Sequence, residues 1–107
     1  MIWYKYLYMG DSVRGKVLYY KYLLRYTKRL TGTYCILPAA HEQDLFDICR
    51  SELLRVRQFY PQDQLVLGLA GSRREACLLA GDMVMDAMAQ VPGGDLEGLA
   101  RVIHSWK

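Results

Sequence analysis

The sequence contains little histidine, little cysteine and no long uninterrupted apolar run. A transmembrane helix needs roughly 18 or more apolar residues in succession, and no segment approaches that length. Met1–Gly10 also lacks the basic start, apolar centre and cleavage site of a secretory signal. We therefore expect a protein that stays in the cytoplasm, where it is made, and we do not favour a membrane partner.

The three cysteines, Cys35, Cys49 and Cys77, are odd in number and include no C-x-x-C pair. Each lies in an apolar run, which is typical of buried, reduced thiols that pack as small hydrophobic side chains. A chain of 107 residues can bury about two-thirds of its unfolded surface without disulfides or a structural metal. We therefore predict a single domain over residues 1–107 and no cofactor.

Sequence motifs of catalysis are also missing. His41 and His104 have no second histidine at ligand spacing, so no metal site is predicted. The chain has no G-x-S-x-G elbow and no P-loop lysine. The sequence therefore leans against an enzyme.

One loop is compatible with anion binding or catalysis. Gly68–Gly71 joins a predicted strand to a predicted helix, and Ser72, Arg73 and Arg74 follow. The N-terminus of a helix attracts anions, so these three residues form a weak candidate site. A plain turn with a Ser72/Glu75 capping box explains the same residues.

Charge is distributed unevenly along the chain. Residues 1–40 contain seven basic residues and one acidic residue, a net charge of +6. Residues 41–107 contain seven basic and ten acidic residues, a net charge of −3. This polarity indicates an acidic partner for the N-terminal third.

Aromatic runs, helical periodicity and turn residues predict an α+β fold, with a three- or four-stranded sheet packed by about four helices. The predicted strands cover residues 2–9, 33–37 and 64–70, and a short strand at 56–60 is expected to pair with the last of these as a hairpin. The predicted helices cover residues 13–30, 41–53, 72–91 and 95–106. In the third helix, Met83 and Met88 are expected in the core and Asp82 and Asp86 in solvent.

The helix predicted at 13–30 carries the main candidate site. At about 100° per residue, its basic residues fall in one sector, with two tyrosines nearby; the candidate residues are Arg14, Lys21, Tyr22, Arg25, Tyr26, Lys28 and Arg29. Tyrosine and arginine are favoured at protein interfaces, so we expect an acidic protein partner or a second copy of the chain. Nucleic acid is an alternative, because lysine and arginine neutralise phosphates and aromatic rings stack on bases. A tyrosine-rich core with a solvated basic stripe would need no partner at all.

Several short motifs are shared with a known group of proteins. They lie in Trp3–Ser12, Gly32–Tyr34, Asp47–Ile48, Val66–Ala70 and Glu75–Ala76. In them the chain resembles a family of small proteins from anaerobic Gram-positive bacteria whose function is unknown. The resemblance covers most of the chain before Pro92 and implies no catalytic residues.

Overall fold

Four strands form one mixed sheet in the computed structural model, which describes residues 1–27, 30–39, 45–56, 58, 60–91, 101–102 and 105. The strands are β1 (Ile2–Met9), β2 (Tyr34–Pro38), β3 (Phe46–Arg50) and β4 (Leu65–Ala70), and their order is β1-β4-β2-β3. β1 runs parallel to β4, while β2 is antiparallel to both β4 and β3. The predicted α+β class and the four-stranded sheet are confirmed.

The described residues contain two α-helices, α1 (Val17–Tyr26) and α2 (Arg73–Met88). Short 3-10 helices occupy Arg14–Lys16 and Ser51–Arg55. The prediction of about four helices is therefore not matched. Of the predicted helix at 95–106, the structure describes Arg101, Val102 and Ser105, and all three are helical.

The predicted helix at 41–53 is wrong over its described part. Phe46–Arg50 is a strand that pairs with all of β2, and Ser51–Arg55 is a 3-10 helix. Ile48 and Cys49 belong to two different core clusters. The segment forms a strand because pairing with a buried neighbouring strand stabilises the extended conformation. This tertiary interaction outweighs the local spacing of apolar residues that predicted a helix.

The predicted hairpin between residues 56–60 and β4 is also wrong. Val56, Gln58 and Tyr60 belong to no strand, and the neighbours of β4 are β1 and β2. Two strands from distant parts of the chain thus replace the local partner that the sequence indicated.

Helices cover both faces of the sheet. On one face, Leu24 of α1 packs in a cluster with Leu37 and Val66. On the other, Met83 of α2 packs with Ile36 and Leu67. Because Leu37 and Val66 alternate with Ile36 and Leu67 along their strands, each of the two inner strands buries both of its faces.

The helix predicted at 13–30 is shorter at both ends. Gly15 lies in the 3-10 turn before α1, where its backbone freedom disfavours a regular α-helix. Thr27 is extended, and both its N–H and its hydroxyl donate to the Leu23 carbonyl, at 3.1 and 2.7 Å. The Arg55 guanidinium donates to the carbonyls of Leu23 and Leu24, at 2.9 and 3.1 Å. A cation at this end complements the helix dipole.

β1 is an edge strand with an irregular register. Its ends pair with β4 at Trp3↔Val66 and Tyr8↔Gly68, and the register shifts between these pairs. Lys5 and Tyr6 lie in the shifted part and are exposed. A bulge and a lysine on an edge strand hinder pairing with another chain.

Two leucines of α1 allow a matched test of this packing. Leu24 is 2% exposed and Leu18 is 83% exposed. We expect Leu24→Ala to lower the free energy of unfolding by about 3 kcal/mol, because it removes buried methyl groups and leaves a cavity. Leu18→Ala should change it by no more than roughly 0.5 kcal/mol. Urea denaturation of both variants measures the difference, and equal losses would contradict the orientation of α1.

Candidate interaction surface of the first helix

The face of α1 that points away from the sheet is aromatic. Since Leu23 and Leu24 are buried, a spacing of about 100° per residue turns Leu18, Tyr22 and Tyr26 outward. Tyr22 is 57% exposed and Tyr26 68% exposed. Their ring centroids lie 5.3 Å apart with the rings tilted by 46°, so the two rings form one continuous exposed patch.

Basic side chains border this patch on one side. Arg25 is exposed, and its guanidinium carbon lies 5.7 Å from the centroid of the Tyr26 ring. Lys21 is half-buried, with its Nζ 5.2 Å from the centroid of the Trp3 ring. Both distances are in the range of cation–π attraction. The Arg25 guanidinium therefore lies beside the aromatic patch, whereas the Lys21 ammonium lies over Trp3 of β1.

Arg14 lies one turn before α1 and is exposed. Its Nη2 is 3.4 Å from Asp11 Oδ1, and both side chains are largely in solvent. Such a pair contributes little to stability and is readily exchanged for another carboxylate. Lys28 and Arg29, also predicted to belong to this surface, lie outside the described residues.

The site predicted from the sequence missed two exposed residues of the same face. Leu18 and Tyr19 lie beside Tyr22 on α1 and are exposed. Helical spacing could have included both. We define the α1 surface by its exposed residues together with the half-buried Lys21; they are Arg14, Leu18, Tyr19, Lys21, Tyr22, Arg25 and Tyr26.

A second place with potential chemistry lies where β1 and β4 end. Because the two strands are parallel, their carboxyl ends meet at one edge of the sheet, beside the N-terminus of α2. The Glu75 N–H donates to Ser72 Oγ at 3.1 Å, which confirms half of the predicted capping box. The Glu75 carboxylate accepts from the Gly71 N–H at 3.0 Å and from the Ser12 hydroxyl at 2.8 Å.

Two glycines make this arrangement possible. A Cβ at Gly10 would lie 1.7 Å from Glu75 Oε1, and one at Gly71 would lie 2.1 Å from Ser12 Oγ. No side chain larger than hydrogen fits at either position without moving its neighbour. The loops after β1 and β4 are thus joined by one carboxylate.

That carboxylate changes the interpretation of the weak anion site. The Gly71 N–H has the largest effect on the pKa of Glu75 and lowers it; burial opposes this, and the hydroxyl and N–H of Ser12 lower the pKa further. Ser72 caps the helix, while Arg73 and Arg74 are exposed. A cleft of about 480 Å³ adjoins them. An external anion would compete there with Glu75, so anion binding at Ser72–Arg74 stays a prediction.

Asp86 of α2, which was expected in solvent, also forms a hydrogen bond to the sheet. The Tyr8 hydroxyl donates to Asp86 Oδ2 at 2.7 Å, so the carboxylate ties edge strand β1 to α2. Burial, together with the hydrogen bond to Asp86 and its charge, raises the pKa of Tyr8. Met88, expected in the core, is instead exposed, whereas Met83 is buried as predicted.

Metal sites and membrane spans can be assessed for the described part of the chain. There, no three histidine, cysteine, aspartate or glutamate side chains come together as metal ligands. Within the same residues, no helix has the length and apolar character needed to cross a bilayer.

No protein-family model, curated protein or solved structure matches this chain. The resemblance to small proteins of anaerobic Gram-positive bacteria therefore stays a prediction.

The Glu75 contacts predict a pH dependence of stability. A lowered pKa in the folded state means that this carboxylate stabilises the fold above the ordinary glutamate value of 4.5, and that the contribution is lost as pH falls through the lowered value. We expect Glu75→Gln to cost about 1 kcal/mol at pH 7, because the lost hydrogen bonds to a charged acceptor are partly exposed. The difference from wild type should shrink below pH 4.5.

Urea denaturation between pH 3 and pH 7 measures this difference. Asp82→Asn, at an exposed position of the same helix, removes one negative charge and serves as the control. Parallel stability curves for wild type and Glu75→Gln over the whole range would contradict the role of Glu75.

Proposed function

We propose that this protein is a small, non-enzymatic interaction module that binds an acidic protein partner through the α1 surface. The observation that carries the proposal is the exposure of Leu18, Tyr22 and Tyr26 on one helix face. The partner is expected in the cytoplasm, the location that the sequence leads us to expect.

Exposing three neighbouring apolar or aromatic side chains to water costs free energy. Each would release free energy on burial, at about 25 cal/mol per Å² of apolar area. The core does not need them, because Leu23 and Leu24 already anchor α1 to the sheet. Tyrosines fix a large contact area with few rotatable bonds, which suits a binding surface.

The charge of the surface supports an acidic partner. Arg14 and Arg25 are exposed and Lys21 is half-buried. In the described part of this surface, Arg14 forms an ion pair with Asp11. The Asp11 side chain is 93% exposed. An excess of positive charge steers a negatively charged partner and fixes its orientation.

The same geometry keeps nucleic acid as the second candidate. The exposed rings of Tyr22 and Tyr26 lie beside the Arg25 guanidinium, and single-stranded nucleic acid binds to such combinations. Nucleic-acid binding falls steeply as salt rises, because counterions are released from phosphates. An interface built around buried tyrosines depends less on salt.

A double substitution tests the α1 surface. We expect Tyr22→Ala/Tyr26→Ala to lose a protein that the wild type retains in affinity isolation from native cells, with nuclease added. Leu78→Ala/Met85→Ala is the matched control, because both side chains are exposed on α2, and it should retain the same protein. Binding of the purified protein should weaken at least tenfold in the tyrosine variant.

A charge reversal tests the acidic character of the partner. Arg25→Glu should weaken binding of the same protein, while Arg73→Glu, an exposed arginine on α2, should leave it unchanged. Retention that disappears with nuclease would replace the proposal with nucleic-acid binding. Sedimentation of a dimer that Tyr22→Ala/Tyr26→Ala abolishes would replace it with self-association. Equal retention by both double variants would reject the α1 surface.

A further inference from the structure

The register of β2 and β3 places two cysteines directly opposite each other. Cys35 pairs with Cys49 in the antiparallel ladder. Both thiols are free and buried, and both belong to the core cluster between the sheet and α1. Directly opposite side chains in an antiparallel pair extend to the same face, so the two sulfur atoms are neighbours.

The spacing of this pair suits a disulfide bond. The Ser51 N–H donates to the Thr33 carbonyl at 3.1 Å, which identifies Thr33 and Ser51 as a hydrogen-bonded pair. Hydrogen-bonded and non-hydrogen-bonded pairs alternate, so Cys35–Cys49, two residues further along the ladder, is hydrogen-bonded as well. Such pairs have Cα atoms about 5.5 Å apart, within the range of roughly 4.4–6.8 Å that a disulfide spans.

Each thiol has a polar neighbour in addition to its partner. Cys35 Sγ lies 3.1 Å from Ser51 Oγ, and Tyr60 packs against the core cluster that contains Cys49. Burial raises the pKa of Cys35 to about 12 and also raises that of Cys49, and the nearby carboxylate of Glu52 adds to both effects. The reduced thiols are therefore protonated at neutral pH, and because the thiolate is the attacking form, oxidation requires Cys49 to lose its proton first.

We propose that Cys35 and Cys49 are a site of reversible oxidation, at which a peroxide converts the two thiols into a cross-strand disulfide. The site lies apart from the α1 surface and does not depend on its function. Cys49 is the first to react, because it is 9% exposed while Cys35 is fully enclosed.

The reaction balances with one peroxide molecule. The Cys49 sulfur attacks one oxygen, the O–O bond breaks, and a sulfenic acid and one water form. The Cys35 sulfur then attacks the Cys49 sulfur, the S–O bond breaks, and the hydroxyl leaves as a second water. The two thiols lose two electrons and two protons, and the peroxide gains them.

The bond can be reversed by a thiol reductant, whose thiolate attacks one sulfur and releases the other, so that both cysteines return to thiols. Reduction also restores the contact between Cys35 and Ser51, which the bond removes.

Intact-mass measurement of the full-length Cys77→Ser protein tests the proposal, because Cys77 is the exposed thiol that would otherwise react. The protein is treated with hydrogen peroxide while folded, then denatured and alkylated with N-ethylmaleimide. We expect a mass loss of about 2 Da with no added maleimide, and peptide mapping should link the peptides that contain Cys35 and Cys49. Excess reduced glutathione should restore two alkylatable thiols.

Cys35→Ser/Cys77→Ser is the matched control, since it keeps Cys49 without its partner. It should show oxygen addition or a dimer between chains in place of the mass loss. Two alkylated thiols after peroxide treatment, or oxygen addition without a cross-link in Cys77→Ser, would overturn the proposal. A bond that survives excess glutathione would overturn its reversibility.

Discussion

The insertion of β4 between β1 and β2 is the constraint on which the rest of the structure depends. β4 is paired along both edges and covered by helices on both faces, so Val66, Leu67 and Leu69 are fully buried. Its parallel neighbour brings the loop after β1 to the N-terminus of α2, where Glu75 joins the two. Its antiparallel neighbour, β2, pairs in turn with β3, and this pairing aligns Cys35 with Cys49. The Glu75 junction and the alignment of the two cysteines both follow from this one placement.

The α1 surface is exposed because few residues of α1 are buried. Two buried leucines anchor the helix, and Arg55 holds its C-terminal carbonyls from a different part of the chain. The helix is thus fixed without any contribution from its outer face, which is free to carry Tyr22 and Tyr26. These two exposed tyrosines are the side chains that the proposed partner would cover.

Local signals in the sequence were sufficient for some elements and misleading for others. β1, β4 and α2 were predicted closely, because an aromatic run, an apolar run and a Ser72 cap determine structure over a few residues. The segment that contains Phe46 and Ile48 was assigned to a helix, because its pairing with β2 is a tertiary interaction that spacing does not reveal. The candidate surface was predicted as basic and tyrosine-rich, with Tyr22 and Tyr26 among its residues. Leu18 and Tyr19 were left out, and the orientation of α1 shows that they are exposed as well. The opposition of Cys35 and Cys49 depended on the missed strand, so it could not have been predicted.

The parallel pairing of β1 with β4 also has a consequence for the order of folding. β2 and β3 meet across a short connection, and β4 joins β2 from within the same half of the chain. β1 is synthesised well before its partner, and closing so long a loop costs more entropy than closing a short one. An aromatic strand with a single lysine is therefore left unpaired while the middle of the protein is made. A charge such as that of Lys5 disfavours aggregation of an unpaired apolar strand.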